Sequence, residues 1–180
     1  MFLLILWEIE MLKRVYRIAA AVLIIVISIW IINDCSDKTN EQMIRAVSNG
    51  NTVRINKLLQ RGVDVNVEDK DGWTPMHHAA KFGQLDAIKL LEKEGGDINA
   101  KDKKGNTVMH IAGLHLNFNV LRWLMEQGAD VNAKNNEGKK PFDLAADESM
   151  KKNPPGVMVD TEDLIGIMNL MQDQPNGGVE

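Results

Sequence analysis

Gly72, Gly105 and Gly138 stand 33 residues apart. Gly62, Gly95 and Gly128 keep the same step, and so do the triplets Asp64-Val65-Asn66, Asp97-Ile98-Asn99 and Asp130-Val131-Asn132. Three independent sets with one period specify a stack of equal units, in which each unit touches only its neighbours. Such stacks serve mostly as surfaces for holding other proteins.

The clearest unit reads Asp71-Gly72-Trp73-Thr74-Pro75-Met76-His77-His78-Ala79-Ala80. Gly72 suits a turn at positive φ. Thr74 is placed to cap a helix, its hydroxyl accepting from a first-turn N–H. Pro75 falls at the first helical position, where its missing N–H is not needed. Ala79 and Ala80 leave room for close helix packing, and Gly83 ends the helix. Leu85, Ile88, Leu90 and Leu91 mark a second helix, which Gly95 stops.

This unit resembles the ankyrin repeat, whose pattern includes a Thr-Pro-Leu-His-x-Ala run. The run here is Thr74 to Ala79, followed by Thr107-Val108-Met109-His110-Ile111-Ala112 and the weaker Lys140-Pro141-Phe142-Asp143-Leu144-Ala145. The resemblance implies an all-α solenoid of about four repeats, helix pairs joined by β-turn or hairpin loops, over residues 39–70, 71–103, 104–136 and 137–172. In the first repeat Met43, Ala46 and Val47 belong to the first helix, and Val53, Ile55, Leu58 and Leu59 to the second. In the third, Phe118, Val120, Leu121, Trp123 and Leu124 carry the second helix. The fourth repeat departs from the pattern. Its first helix is expected over Pro141 to Asp147, with Lys140 unable to cap as Thr74 does. Lys151 to Gly156 then breaks the helix, and a helical pattern returns at Asp160 to Met171, displaced by 11 residues. That segment reads as a delayed capping helix; the alternative is an amphipathic tail docking elsewhere. Residues 173–180 read as a disordered tail.

Ile18 to Ile32 carries no charge, with Lys13, Arg14 and Arg17 before it and Asp34 and Asp37 after it. Fifteen helical residues span about 22 Å, against about 30 Å of hydrocarbon. Flanking residues and a snorkelling Arg17 extend it. Residues 15–32 are therefore expected to be an uncleaved transmembrane anchor, with a removed signal peptide second and a buried globular helix third. Residues 1–14 would be cytoplasmic, since basic flanks stay inside. A short linker, 33–38, would hold the repeat domain close to the bilayer on the periplasmic or extracytoplasmic side. Met1 to Glu10 precede a conventional basic start at Met11, which is expected to be the initiator. No Asn-x-Ser/Thr sequon occurs, in keeping with a bacterial origin.

One cysteine, Cys35, forms no internal disulfide and has no histidine near it in sequence. The net charge of −4 gives no basic excess for nucleic acid. Phosphate-loop and nucleophile-elbow motifs are missing from the sequence. The expectation is a non-catalytic protein-binding module without cofactor, monomeric apart from its partner. Two alternatives remain: an immunity or inhibitor protein occluding a toxin or envelope enzyme, and an accessory protein with a histidine metal site. The resemblance makes His77 and His110 structural braces. It places the partner on the turn tips and the concave face of the first helices. By register these are Lys70, Asp71, Trp73, His78, Lys81 and Phe82; then Lys103, Lys104, Asn106, Ile111, Leu114 and His115; then Lys139. For Trp73, folding back on the next turn is the competing reading. Lysines crowd consecutive turns and suit an acidic partner.

Overall fold

The computed structural model describes residues 21–28 and 38–152. The chain divides into two units, residues 1–39 and 40–180. In the first unit residues 21–28 are helical, and Val22 to Ile27 are all exposed. Among the described residues no helix is long and apolar enough to cross a membrane. The expected anchor, 15–32, lies mostly outside them. The linker 33–38 (but for Lys38), the Asp160–Met171 helix and the 173–180 tail also lie outside the described residues.

The second unit is helical, and its described residues contain no strand. Helix α1 is described over residues 38–48. It is followed by α2 (Thr52–Leu59), α3 (Pro75–Lys81), α4 (Leu85–Lys93), α5 (Val108–Leu114), α6 (Phe118–Glu126) and α7 (Pro141–Lys152). The first helices form one layer, α3 on α5 and α5 on α7; α4 and α6 pack behind α3 and α5, and α4 also meets α2. One residue per repeat shows how the period builds the core. Ile55, Ile88 and Leu121, each 33 apart, are all buried. Met43, Ala46, Val47, Leu58, Leu91, Val120 and Leu124 are buried as expected, but Val53 is exposed.

Helix ends follow local chemistry. Each first helix of repeats two and three spans seven residues before a turn at positive φ, at Gly83 (66°) and Leu116 (57°). After each turn an amide bonds back to the preceding repeat: Gln84 Nε2 donates to Ser48 O (3.2 Å), and Asn117 Nδ2 to Ala80 O (2.7 Å). Met150 stands at that position in the fourth repeat and has no amide to offer. The expected end of α7 at Asp147 is thus corrected. The helix continues at least to Lys152, the last residue described, and Pro154 follows two residues on in the sequence. Met150 is left 72% exposed.

Helices α5 and α7 approach each other closely. A Cβ on Gly113 would lie 2.5 Å from Pro141 O. Ala80 holds the same place one repeat earlier, so α7 sits where even a methyl group would collide.

Candidate functional site

Each turn tip is built from a carboxylate or amide that begins it. Asp69 Oδ1 accepts from the N–H groups of Asp71 and Trp73, both at 2.9 Å. Asp102 Oδ1 does the same for Lys104 and Asn106 at 2.8 Å, and Asn135 Oδ1 for Glu137 and Lys139 at 3.0 Å. Backbone bonds close each tip, for example Asp102 N–H to Asn106 O at 2.9 Å. A glycine three residues into each tip takes a positive φ, and at Gly72 and Gly105 it also leaves room for the backbone of the next tip. At Gly105 (φ 75°) a Cβ would sit 3.0 Å from the backbone N of Asn136 on the next tip.

Side chains then link tip to tip. Trp73 Nε1 donates to Asp102 Oδ2 (3.1 Å), Asn106 Nδ2 donates to the same oxygen (3.1 Å), and Asn135 Nδ2 donates to Asn106 Oδ1 (2.8 Å). Backbone bonds run parallel, from Lys103 N–H to Asp71 O and from Asn136 N–H to Lys104 O. On the hairpin side, the Asp-apolar-Asn triplets form a second ladder. Asn66 Oδ1 accepts from Asp97 N–H (2.9 Å) and Asn99 Oδ1 from Asp130 N–H (3.2 Å); at Asn132 the donor is Lys140 Nζ (2.9 Å).

The two repeat histidines brace the tips from below. His77 Nδ1 accepts from Thr74 N–H (3.1 Å), and His110 Nδ1 from Thr107 N–H (3.1 Å). An accepting Nδ1 carries no proton, so Nε2 holds it and donates onward to Asn106 O (3.3 Å) and Lys139 O (2.9 Å). The Thr74 hydroxyl, 2.9 Å from Nδ1, is then a donor to the ring. That completes a capping box with histidine in the third helical position, where glutamate is usual. Burial holds both rings below the ordinary histidine pKa. In the fourth repeat Asp143 takes over, accepting from Lys140 N–H at 2.8 Å. The N-terminus of α7 is capped after all, from the third position rather than from Lys140.

Several expected partner residues are consumed by this framework. Ile111 is 2% exposed and belongs to the core, and Asn106 is buried within the ladder. Neither presents a surface, and both are withdrawn from the binding face. Trp73 is half-buried and folds onto the next tip. His77 stacks on its ring (6.2 Å between centroids) and His78 meets it edge-on at 5.2 Å. His78 Nε2 lies 2.9 Å from Asp69 Oδ2. Burial would raise the Asp69 pKa, but the N–H groups of Trp73 and Asp71 and the His78 ring hold it below the usual carboxylate range. Lys70, Asp71, Lys103 and Lys104 are exposed at the tips; Lys81 and Lys139 are half-exposed, the latter paired with Asp147 at 2.7 Å. Phe82 is 50% exposed, whereas Leu114 and His115 are half-buried around the end of α5.

Asp69, Asp102 and Asn135 were not among the expected functional residues. Their 33-residue spacing was a usable signal, obscured by the change from aspartate to asparagine. The described residues also hold a depression of about 200 Å³ lined by Gly83, Leu116, Asn117 and Phe118. None of the expected partner residues borders it. Among the described residues no three His, Cys, Asp or Glu side chains gather as a metal site requires.

The family model for ankyrin repeats, in three copies, matches residues 43–149, more than half of the chain. Over 53 residues the chain is 43% identical to a mouse 2-5A-dependent ribonuclease, covering 29% of this chain and 7% of that protein. It is 46% identical over 46 residues to the mouse protein phosphatase 1 regulatory subunit 12A, 26% of this chain and 4% of that protein. A putative ankyrin repeat protein of fowlpox virus, FPV223, is 44% identical over 45 residues, 25% of this chain and 32% of the viral protein. The chain thus spans well under two thirds of the length of these relatives.

Proposed function

The chain belongs to the ankyrin repeat family, and from that premise we propose that it is a non-catalytic module binding another protein through its turn tips and first-helix face. Ankyrin repeats are generally protein-binding units, and relatives include a phosphatase regulatory subunit. One observation carries the reading. The polar groups of the framework are spent inside it: both ring nitrogens of His77 and His110, and the carboxylates of Asp69 and Asp102, are engaged. No described buried side-chain N or O atom lacks a partner. What faces outward is a row of preorganised tips. Preorganisation of this kind lowers the ordering cost of binding.

Display on a membrane is part of the proposal. Residues 21–28 support it, being helical with apolar side chains exposed on every side, an arrangement suited to lipid rather than water. The repeat domain would then lie on the periplasmic or extracytoplasmic face, opposite the basic flank. Inhibition of a toxin or envelope enzyme would use the same tips.

The test is affinity capture from the host's envelope fraction with the full chain and with Lys70, Asp71 and Lys104 changed together to alanine. A stoichiometric partner held by the natural chain and lost by the variant is expected. Failure of every partner to depend on the tips would sink the proposal. Assaying the captured partner's activity separates inhibition from scaffolding.

A further inference from the structure

The turn tips sort charge by depth. Asp69 and Asp102 turn inward onto N–H donors, and Asn135 is neutral. Lys70, Lys101, Lys103, Lys104 and Lys134 are exposed. Exposed acids remain on the flanking tips, at Glu68, Asp71 and Glu137, but the third repeat's tip has none. Its only carboxylate, Asp102, is buried and takes donors from Lys104, Asn106 and Trp73. A chain of net charge −4 thereby carries exposed lysines on three successive turns, densest and free of exposed acid at the middle one.

An apolar surface adjoins it. Lys81 Nζ lies 5.5 Å from both the Trp73 and the Phe82 ring centroids, so the three side chains are contiguous. Trp73 in turn reaches Asp102. Lys103 Nζ donates to Lys70 O, tying the cationic tip to the one before it. The strip therefore runs unbroken from the half-exposed Phe82, through Lys81 and Trp73, to Lys103 and Lys104.

Resting on the reading of the tips as a binding surface, we infer that this strip takes an acidic, extended peptide segment that carries an apolar side chain among its carboxylates. The carboxylates meet the tip lysines, and the apolar side chain covers Phe82. Cations spread along successive turns suit a chain better than a single compact anion. Packed helices lie about 8–10 Å apart, which an extended peptide crosses in about three residues. Acids at every third position therefore match the row. Carboxylate–lysine contacts at an exposed edge add encounter rate and specificity, and they weaken with salt.

The experiment is fluorescence anisotropy on the full chain in mild detergent. The probes are a labelled peptide with glutamate at every third position and one phenylalanine, its lysine counterpart, and phosphatidylserine vesicles. Saturable binding of the glutamate peptide is expected, weakened about tenfold by high salt. Comparable losses are expected in Lys103→Glu/Lys104→Glu and in Phe82→Ser, with unchanged circular dichroism. Equal binding of both peptides, indifference to charge reversal, or binding of vesicles but not of peptide would overturn the inference. A tip-dependent partner insensitive to salt would likewise overturn it, and would leave the proposed function standing.

Discussion

A histidine in the third position of a helix is an economical brace because its two nitrogens point at different repeats. In His110, Nδ1 closes the cap of its own helix while Nε2–H reaches Lys139 O on the next tip. Protonating Nδ1 removes the acceptor and leaves two donors facing it. The depressed pKa of both rings means that the unfolded chain takes up protons first as pH falls. Stability from these rings is therefore complete above the unfolded value of about 6.5 and declines as pH drops through it toward the folded values. His110→Gln keeps an acceptor in the capping position without a titratable ring. In urea denaturation, the advantage of the natural chain over this variant should shrink between about pH 7.5 and pH 5.5; a constant difference would mean that the folded ring takes up its proton as readily as the unfolded one. Asp102 is the other pivotal residue. Asp102→Ala strands two backbone N–H groups and the Trp73 indole, and should cost about 3 kcal/mol in the same assay. Asp64→Ala, at an exposed turn with one such bond, should cost less than about 1 kcal/mol.

At the level of elements, packing overrides intrinsic preference. Helix propensity alone favours alanine over glycine by about 1 kcal/mol in a helix interior. Gly113→Ala should nonetheless destabilise the protein by about 1–3 kcal/mol, because the added methyl meets the Pro141 carbonyl, a backbone atom that cannot swing aside. A raised urea midpoint for this variant would show that α7 is free to retreat from α5. Helix α7 carries a second lesson. Its first residues were legible in the pattern, and its run past Asp147 was not. The turn that stops α3 and α5 depends on an amide bonding across to the preceding repeat, and Met150 has none.

Across the repeat domain, stability is a sum of neighbour contacts, and a stack this short is small enough to unfold as one. Trp73 and Trp123 report from different repeats. In a Trp7→Phe/Trp30→Phe background, their fluorescence and the helical circular dichroism should follow one coincident transition. Ile111→Ala should lower it by about 2–5 kcal/mol without splitting it. Two separated transitions would mean that the stack opens repeat by repeat.

The period, the helix pairs and most of the core were determined by the sequence alone. A repeat touches only its neighbours, so equal spacing along the chain becomes equal placement in space. Glycines and caps act within a few residues, and their roles can be read locally. Only the tertiary structure decided what each tip residue does. His78 and Ile111 occupy the same register, yet one lies half-buried against Asp69 while the other vanishes into the core. Trp73 could anchor a partner or fold back, and its bond to Asp102, 29 residues away, decides for folding back. Burial and long-range hydrogen bonding depend on what the adjacent repeat brings to the contact, and register carries no record of that.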